Sequence, residues 1–348
     1  MIDLIAPLPA HVLAEDRLFS YLRANVPGFA AEASLKQFQG GQSNPTYLIE
    51  TGEDQKYVLR KKPPGKLLPS AHQIDREYRI QKALAGTGVP VAAMIHYCAD
   101  PAVIGTEFYL MEFLAGRVFD AVLMPDLKPS ERGAIQAALF DTIGKLHAVD
   151  YAALGLADYG RPDNYVARQI DRWSKQYEAV KTEALPAMDK LMAWLKANMP
   201  ADQTTTIAHG DFRLGNMMVH PEKPEIIAVL DWELATLGHP LADLAYCCMP
   251  FHLPQGDGPA MTGYGDLDLA AHGLKSEAEV LDLYCQATGR TGIPDWKFFL
   301  GFALFRSAAI VEGVYARALA GNAADSRGIK MHEMTKTTSA AGWEIVSN

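Results

Sequence analysis

The stretch His209-Gly210-Asp211-Phe212-Arg213-Leu214-Gly215-Asn216 sets a histidine, an aspartate and an asparagine at H-x-D-x-x-x-x-N spacing. Shortly downstream, Ile226-Ile227-Ala228-Val229-Leu230-Asp231 closes an apolar, strand-like run on an acid. Phosphoryl transfer from a nucleotide asks little of a protein. It needs a carboxylate to orient the attacking hydroxyl, and hard oxygen ligands for magnesium near the phosphates. Asp211 suits the first role as acceptor of the hydroxyl proton. Asn216 and Asp231 suit the second, so ATP and Mg2+ are the expected cofactors. Each piece alone has a plain alternative: His209 reads equally as a buried histidine, and Asp231-Trp232 as a helix cap. Their conjunction, together with a suitable N-terminal region, carries the reading.

That region holds the remaining parts. Gly40-Gly41-Gln42-Ser43-Asn44 is a glycine-containing hairpin turn, and its backbone N–H groups, at Gly41 and Ser43 for instance, suit phosphate oxygens. By itself the segment reads equally as an ordinary turn. Tyr57-Val58-Leu59-Arg60 ends a strand on a cation, and Glu77 falls on the following helix. A strand cation paired to a helix acid is a device for holding α- and β-phosphates. Lys62 shares the face of Arg60 if the strand continues, but Pro63-Pro64 argues that it stops, so Arg60 is the preferred cation.

Short β-favouring runs at Ser34–Gln39, Pro45–Glu50 and Lys56–Arg60 follow a helix over about 11–25. Ser70 and Gln73 form a capping-box pattern for a helix reaching about Leu84. Strands near 91–97 and 105–113 complete a small antiparallel sheet. Beyond residue 119 the pattern turns to long amphipathic helices, with Ile135, Leu139, Ile143 and Leu146 at helical spacing. Further helices are expected over about 163–182, 185–198, 239–249, 277–289 and 295–320, interrupted by a β segment from Thr206 to Asp231. The expected class is α+β with two lobes: 1–113 for nucleotide, a hinge at about 112–118, and a mostly helical 119–348 with the catalytic loop and substrate pocket.

Taken together, Gly40–Tyr47, Tyr57–Pro64, Asp75–Arg79, Met111–Gly116, His209–Asn216 and Val229–Tyr246 make the chain resemble the aminoglycoside phosphotransferase family, which is related to choline and homoserine kinases. Within it, the chain is most similar to the phosphotransferase domain that precedes an acyl-CoA dehydrogenase in certain multidomain proteins. The resemblance covers about residues 35–320 and implies a protein-kinase-like fold. It also implies Asp211 as catalytic base, Asn216 and Asp231 as magnesium ligands, and Glu112 and Phe113 in the hinge that meets adenine. It suggests a functional link to an acyl-CoA dehydrogenase. Arg60 departs from the lysine usual in protein kinases, although its planar fork can bind phosphate oxygens in bidentate fashion. The glycine turn lacks the full G-x-G-x-x-G.

The 348 residues carry 32 Lys plus Arg against 41 Asp plus Glu, a formal net charge of −9, which argues against nucleic-acid and anionic-membrane partners. Cys98, Cys247, Cys248 and Cys285 show no CxxC spacing, so they read as reduced core residues of a cytoplasmic protein. Pro7 and Pro9 break the N-terminal apolar run, so no signal peptide is expected. No apolar run reaches the roughly 18 residues of a membrane helix, because Arg306 interrupts Phe298–Phe305. The short Leu234–His239 connection leaves no room for a peptide-binding activation segment, so the partner is a small molecule bearing a hydroxyl. A nucleotide-binding pseudokinase would lack Asp211, Asn216 or Asp231, and all three are present. The residues leave the acceptor open. Asp257, Asp266 and Asp268 suit an aminoglycoside or amino alcohol. The resemblance points to a hydroxy acid or hydroxyacyl chain, as its coenzyme A thioester, with Arg213, Lys297, Arg306 and Arg317 as phosphate partners. Arg306, Glu312, Tyr315 and Arg317 otherwise read by default as exposed charge on the last helix, with the apolar stretch around Arg306 hinting at a pocket there.

Overall fold

The structure, a computed structural model, describes residues 4–39, 44–52, 54–64, 72–256, 262–320 and 331–348. In chain order the elements are β1 (Leu4–Ile5), α1 (Glu15–Asn25), β2 (Ala33–Phe38), β3 (Thr46–Thr51), β4 (Lys56–Lys61), α2 (Ile74–Leu84), β5 (Met94–Cys98), the one-turn α3 (Pro101–Ile104) and β6 (Phe108–Glu112). There follow α4 (Pro129–Ala148), α5 (Tyr165–Val180), α6 (Pro186–Ala197), β7 (Thr206–Ala208), β8 (Met217–Val219), β9 (Ile226–Val229), β10 (Thr236–Gly238), α7 (Pro240–Cys248), α8 (Glu277–Thr288), α9 (Trp296–Leu319) and α10 (Met331–Ser347).

The chain divides into two compact units: 1–118 with 154–156 and 218–235, and 119–153 with 157–217 and 236–348. The first unit therefore takes in the strand pair β8–β9 and Asp231, far along the chain from its sheet. That sheet has the order β1-β2-β3-β4-β6-β5 with antiparallel neighbours throughout. Strand alternation sorts its faces. Leu35, Tyr47, Ile49 and Leu59 join Leu18, Phe19 and Leu22 of α1 in one buried core. Arg60 lies on the other face of β4, toward α2. The buried stripe of α2 is Ile74, Glu77, Ile80, Gln81 and Leu84, at helical spacing, with an acid among its apolar residues.

In the second unit α9 is the core helix. Phe298, Phe299, Phe302 and Phe305 are all buried, and each such side chain stabilises by about 1.5–3 kcal/mol. By length and composition α9 could cross a membrane, yet 83% of its apolar window is buried inside the protein. α9 runs through Arg306, as the expected 295–320 helix requires, but the exposed-charge reading is corrected here: Arg306 and Glu312 are buried. α10 lies beyond the last helix expected from the sequence. It packs on α9 and α6 through small residues. A Cβ at Gly342 would come within 2.7 Å of Leu191 Cδ2 and 3.2 Å of Leu304 Cβ, so glycine permits the close approach. The antiparallel sheet with flanking helices, joined in one chain to a helical second unit, gives the α+β class expected from the sequence.

Candidate active site

Two clusters of polar side chains stand out, one in each unit. The cluster in the first unit is built on β4, α2, β6 and the turn after β9. Arg60 pairs in register with Tyr109 of β6, and both side chains reach Glu77 on α2. Arg60 Nε lies 2.9 Å from Glu77 Oε2, close enough for an ion pair, although its N–H is not well aimed for a hydrogen bond. Tyr109 Oη donates to Glu77 Oε2 at 3.0 Å and Asn44 Nδ2 to Oε1 at 2.6 Å. Burial pushes the Glu77 carboxyl up against the pull of Arg60. With the Arg60 guanidinium beside it and two hydrogen-bond donors converging on it, we assign Glu77 as a carboxylate. Burial alone would lower the Arg60 pKa, but the carboxylates of Glu77, Asp231 and Glu233 outweigh it and keep the guanidinium charged. Arg60 Nη2 also reaches Asp231 Oδ1 at 3.1 Å.

Asp231 has φ 62° and ψ 62°, the left-handed region, and makes no side-chain capping bond that would favour it there. Such a conformation costs a non-glycine residue about 1–3 kcal/mol and concentrates at functional sites. Lys62, the alternative cation, lies past the end of β4 and pairs with Glu107 instead. Glu112, at the end of β6, is tied to Ala93 by its backbone N–H (3.0 Å) and by Oε1, which accepts from Ala93 N at 2.7 Å. The Phe113 ring carries Lys56 Nζ 5.7 Å above its centroid. Gly41 and Ser43 lie outside the described residues, as does Ser70, and Gln73 makes no side-chain cap for α2.

The cluster in the second unit is the loop between β7 and β8. Asp243 on α7 is 2% exposed and accepts from His209 N (2.7 Å, Oδ2) and Gly210 N (2.9 Å, Oδ1). Burial alone would raise its pKa, but His147 and the His209 backbone N–H outweigh it and hold the carboxyl below the usual range. Gly210 sits at φ 85°, where a side chain would be strained. His209 is fully buried and accepts from Asp211 N at Nδ1 (3.2 Å), so it shapes the loop as the plainer sequence reading allowed. The Asp211 carboxylate accepts from Asn216 Nδ2 at 2.7 Å and from Tyr246 Oη at 2.6 Å, with Arg213 Nε 3.5 Å away. Asn216 Nδ2 also bonds the Asp211 carbonyl at 2.8 Å.

Of this cluster the sequence points to Asp211 and Asn216 as site residues, but not to Tyr246 or the role of Arg306. Tyr246 stands one helical turn from Asp243, and that i, i+3 spacing was the available signal. His147 is buried, with Nε2 3.6 Å from Asp243 Oδ2 and Nδ1 2.9 Å from Tyr284 Oη. Arg306 donates from Nη2 to the Gly210 carbonyl at 2.5 Å, which makes it a brace for the loop. Among the described residues no group of three His, Cys, Asp or Glu side chains could hold a metal ion. Magnesium asks for less, since it binds through one or two protein oxygens plus phosphates and water. Asn216 Oδ1 in the second unit and Asp231 Oδ2 in the first have no partner among the described residues, and each taken by itself is a hard donor of the type that fits the ion.

Sheet, loop and buried carboxylates define the class, a protein-kinase-like phosphotransferase with two lobes. The chain belongs to the phosphotransferase enzyme family, whose model matches residues 34–288. It is 43% identical over 336 residues to acyl-CoA dehydrogenase family member 10 of Mus musculus, covering 96% of this chain and 31% of that protein. The chain spans less than half the length of the curated relatives it matches. A candidate aminoglycoside phosphotransferase from Ralstonia eutropha JMP134, known from a crystal structure, superposes with a TM-score of 0.89 at 44% identity, covering 97% of this chain and 99% of that one. Choline kinase from Cryptosporidium parvum Iowa II shares the fold at a TM-score of 0.62 and 12% identity, covering 96% of this chain and 95% of that one.

Proposed function

We propose that the protein transfers the γ-phosphate of ATP, with Mg2+, to a hydroxyl of a small molecule. The observation that carries this reading is the Asp211 carboxylate, oriented by Asn216 and Tyr246 in a loop whose backbone Asp243 holds. Asp211 orients the acceptor hydroxyl and takes its proton, a contribution of about a hundred- to ten-thousand-fold in rate. Arg60, kept charged and fixed by Glu77, offers its N–H groups to phosphate oxygens. Asn216 and Asp231 are the oxygen ligands for magnesium, which when bound neutralises phosphate charge. Gly41 and Ser43 offer backbone N–H groups to phosphate, and the hinge at Glu112 and Phe113 receives the base.

For the acceptor we propose a hydroxy acid or a hydroxyacyl chain, including its coenzyme A thioester, working beside an acyl-CoA dehydrogenase. Two things support this class over aminoglycosides and amino alcohols. One is the likeness to acyl-CoA dehydrogenase family members 10 and 11. The other is Arg213, a part-exposed cation 3.5 Å from Asp211 that favours an anionic acceptor. The test incubates the full chain with Mg·ATP and a panel of hydroxyacyl-CoA esters, free hydroxy acids, aminoglycosides and amino alcohols, and reads phosphorylated product by mass spectrometry. Product from the first two groups supports the acceptor class, whereas product from aminoglycosides or amino alcohols alone overturns it. No product anywhere, with no magnesium-dependent ATP binding, overturns the kinase reading itself.

A further inference from the structure

We infer that Tyr246 is a positioning residue that leaves one atom of Asp211, Oδ1, to take the acceptor's proton. The inference rests on the kinase reading and deepens it. A carboxylate offers about four acceptor directions, two on each oxygen. Oδ2 of Asp211 takes Asn216 Nδ2 at 2.7 Å and faces Arg213 Nε at 3.5 Å. Oδ1 takes Tyr246 Oη at 2.6 Å. Among the described residues the fourth direction, on Oδ1, is open.

Tyr246 is itself immobilised. It lies one turn from Asp243 on α7, so the helix that holds the loop backbone also aims the base. Arg306 of α9 places its guanidinium 5.5 Å over the Tyr246 ring and 5.8 Å from the Trp173 ring of α5, while its Nη2 holds the Gly210 carbonyl. The charged groups facing the phenol are Asp211 and Arg213 from the loop and Arg306 from α9. Burial, and then Asp211, push the phenol's pKa up, so it stays a donor.

Removing the hydroxyl leaves Oδ1 with two open directions, one of which water can fill. The carboxylate then holds the acceptor in more than one geometry, which slows transfer, while hydrolysis of ATP by water suffers less. Nothing in this change touches the groups assigned to nucleotide. The experiment measures transfer by the full chain carrying Tyr246→Phe, using the best acceptor of the panel above and water alone. We expect kcat for transfer to fall about ten- to a hundredfold, with KM for Mg·ATP changed by less than about twofold, and phosphate released per product to rise. Tyr246→Leu, which also removes the ring beneath Arg306, should fall further. A readout independent of turnover is the proton NMR signal of the Tyr246 hydroxyl, expected downfield of the amide region, lost in Tyr246→Phe and displaced in Asp211→Asn. An unchanged kcat, a loss confined to KM, or a hydroxyl signal indifferent to Asp211→Asn overturns the proposal. Absence of turnover in the unmodified chain, water included, overturns the kinase reading as well and is thereby told apart.

Discussion

Glu77 and Asp243 are both buried helix carboxylates that support a working side chain, yet they are satisfied differently. Glu77 is met by side chains, Arg60, Tyr109 and Asn44. Asp243 is met by two backbone N–H groups of the loop. Backbone donors are fixed as soon as the loop folds, which suits a segment that must present Asp211 in one geometry. Side-chain donors can divide their bonds, so Arg60 can hold Glu77 through Nε and still turn the rest of its fork to phosphate. Their electrostatics are also opposite: burial pushes Glu77 up against the pull of Arg60, whereas at Asp243 the nearby His147, with the His209 backbone N–H, outweighs burial and holds the carboxyl down.

The comparison breaks most sharply at Asp243. Asp243→Ala strands two buried N–H groups and should cost about 3–5 kcal/mol of stability. Urea unfolding measures it, and a loss below about 1 kcal/mol would mean that the loop holds itself. Asp243's depressed pKa makes its contribution fully present above the ordinary carboxylate value of about 3.9 and lost as pH falls through the folded value. Glu77's raised pKa gives the reverse sign: its contribution is present below about 4.3 and fades as pH rises through the folded value. Unfolding followed between acid and neutral pH should therefore respond in opposite directions to Asp243→Asn and Glu77→Gln.

A smaller effect is expected at Arg60. Arg60→Ala should weaken ATP binding by about 1.5–3 kcal/mol while adenosine loses little, and Arg60→Lys should recover part of it. Lys62→Ala should leave both nearly unchanged, because Lys62 is paired with Glu107 away from the cluster. Calorimetric titration decides the matter: equal weakening of ATP and adenosine by Arg60→Ala would make Arg60 a support for the sheet alone.

The sequence displayed what depends on local pattern. Strands β2 to β6, α2, α4 to α9 and the loop at 209–216 follow from alternation, helical spacing and a spaced motif, whereas the two-residue β1 is not among the expected strands. What it hid depends on contacts between distant segments. α10 reads poorly because Thr335, Thr338, Ser339 and Gly342 form its buried face, and small polar residues give no apolar stripe. The apolar stretch around Arg306 hints at a pocket, but the partner of Arg306, and the burial of Glu312, stay hidden without knowing that Gly210, Thr182 and His332 meet them. The partnership of Tyr246 with Asp211 joins a helix to a loop 35 residues away.

The smallest expected effect lies on α10. His332 sits between Glu312 (3.1 Å) and Glu183 (2.8 Å) and stacks on Tyr315 at 4.5 Å. Burial alone would lower its pKa, but the two carboxylates outweigh it and raise the imidazole above its ordinary value. Its contribution is then fully present below about pH 6.5 and lost as pH rises through the folded value. Thermal unfolding across neutral pH should show this slope, and His332→Gln should flatten it. A slope unchanged in His332→Gln would place its origin elsewhere.

The most direct test of the account follows phosphate from ATP to the acceptor in the unmodified protein and in Asp211→Asn, with Mg2+ and with EDTA. Product should form only with the metal, and Asp211→Asn should retain ATP binding while losing about a hundred- to ten-thousand-fold in single-turnover rate. A variant within about tenfold of the unmodified rate, or equal product in EDTA, would contradict it.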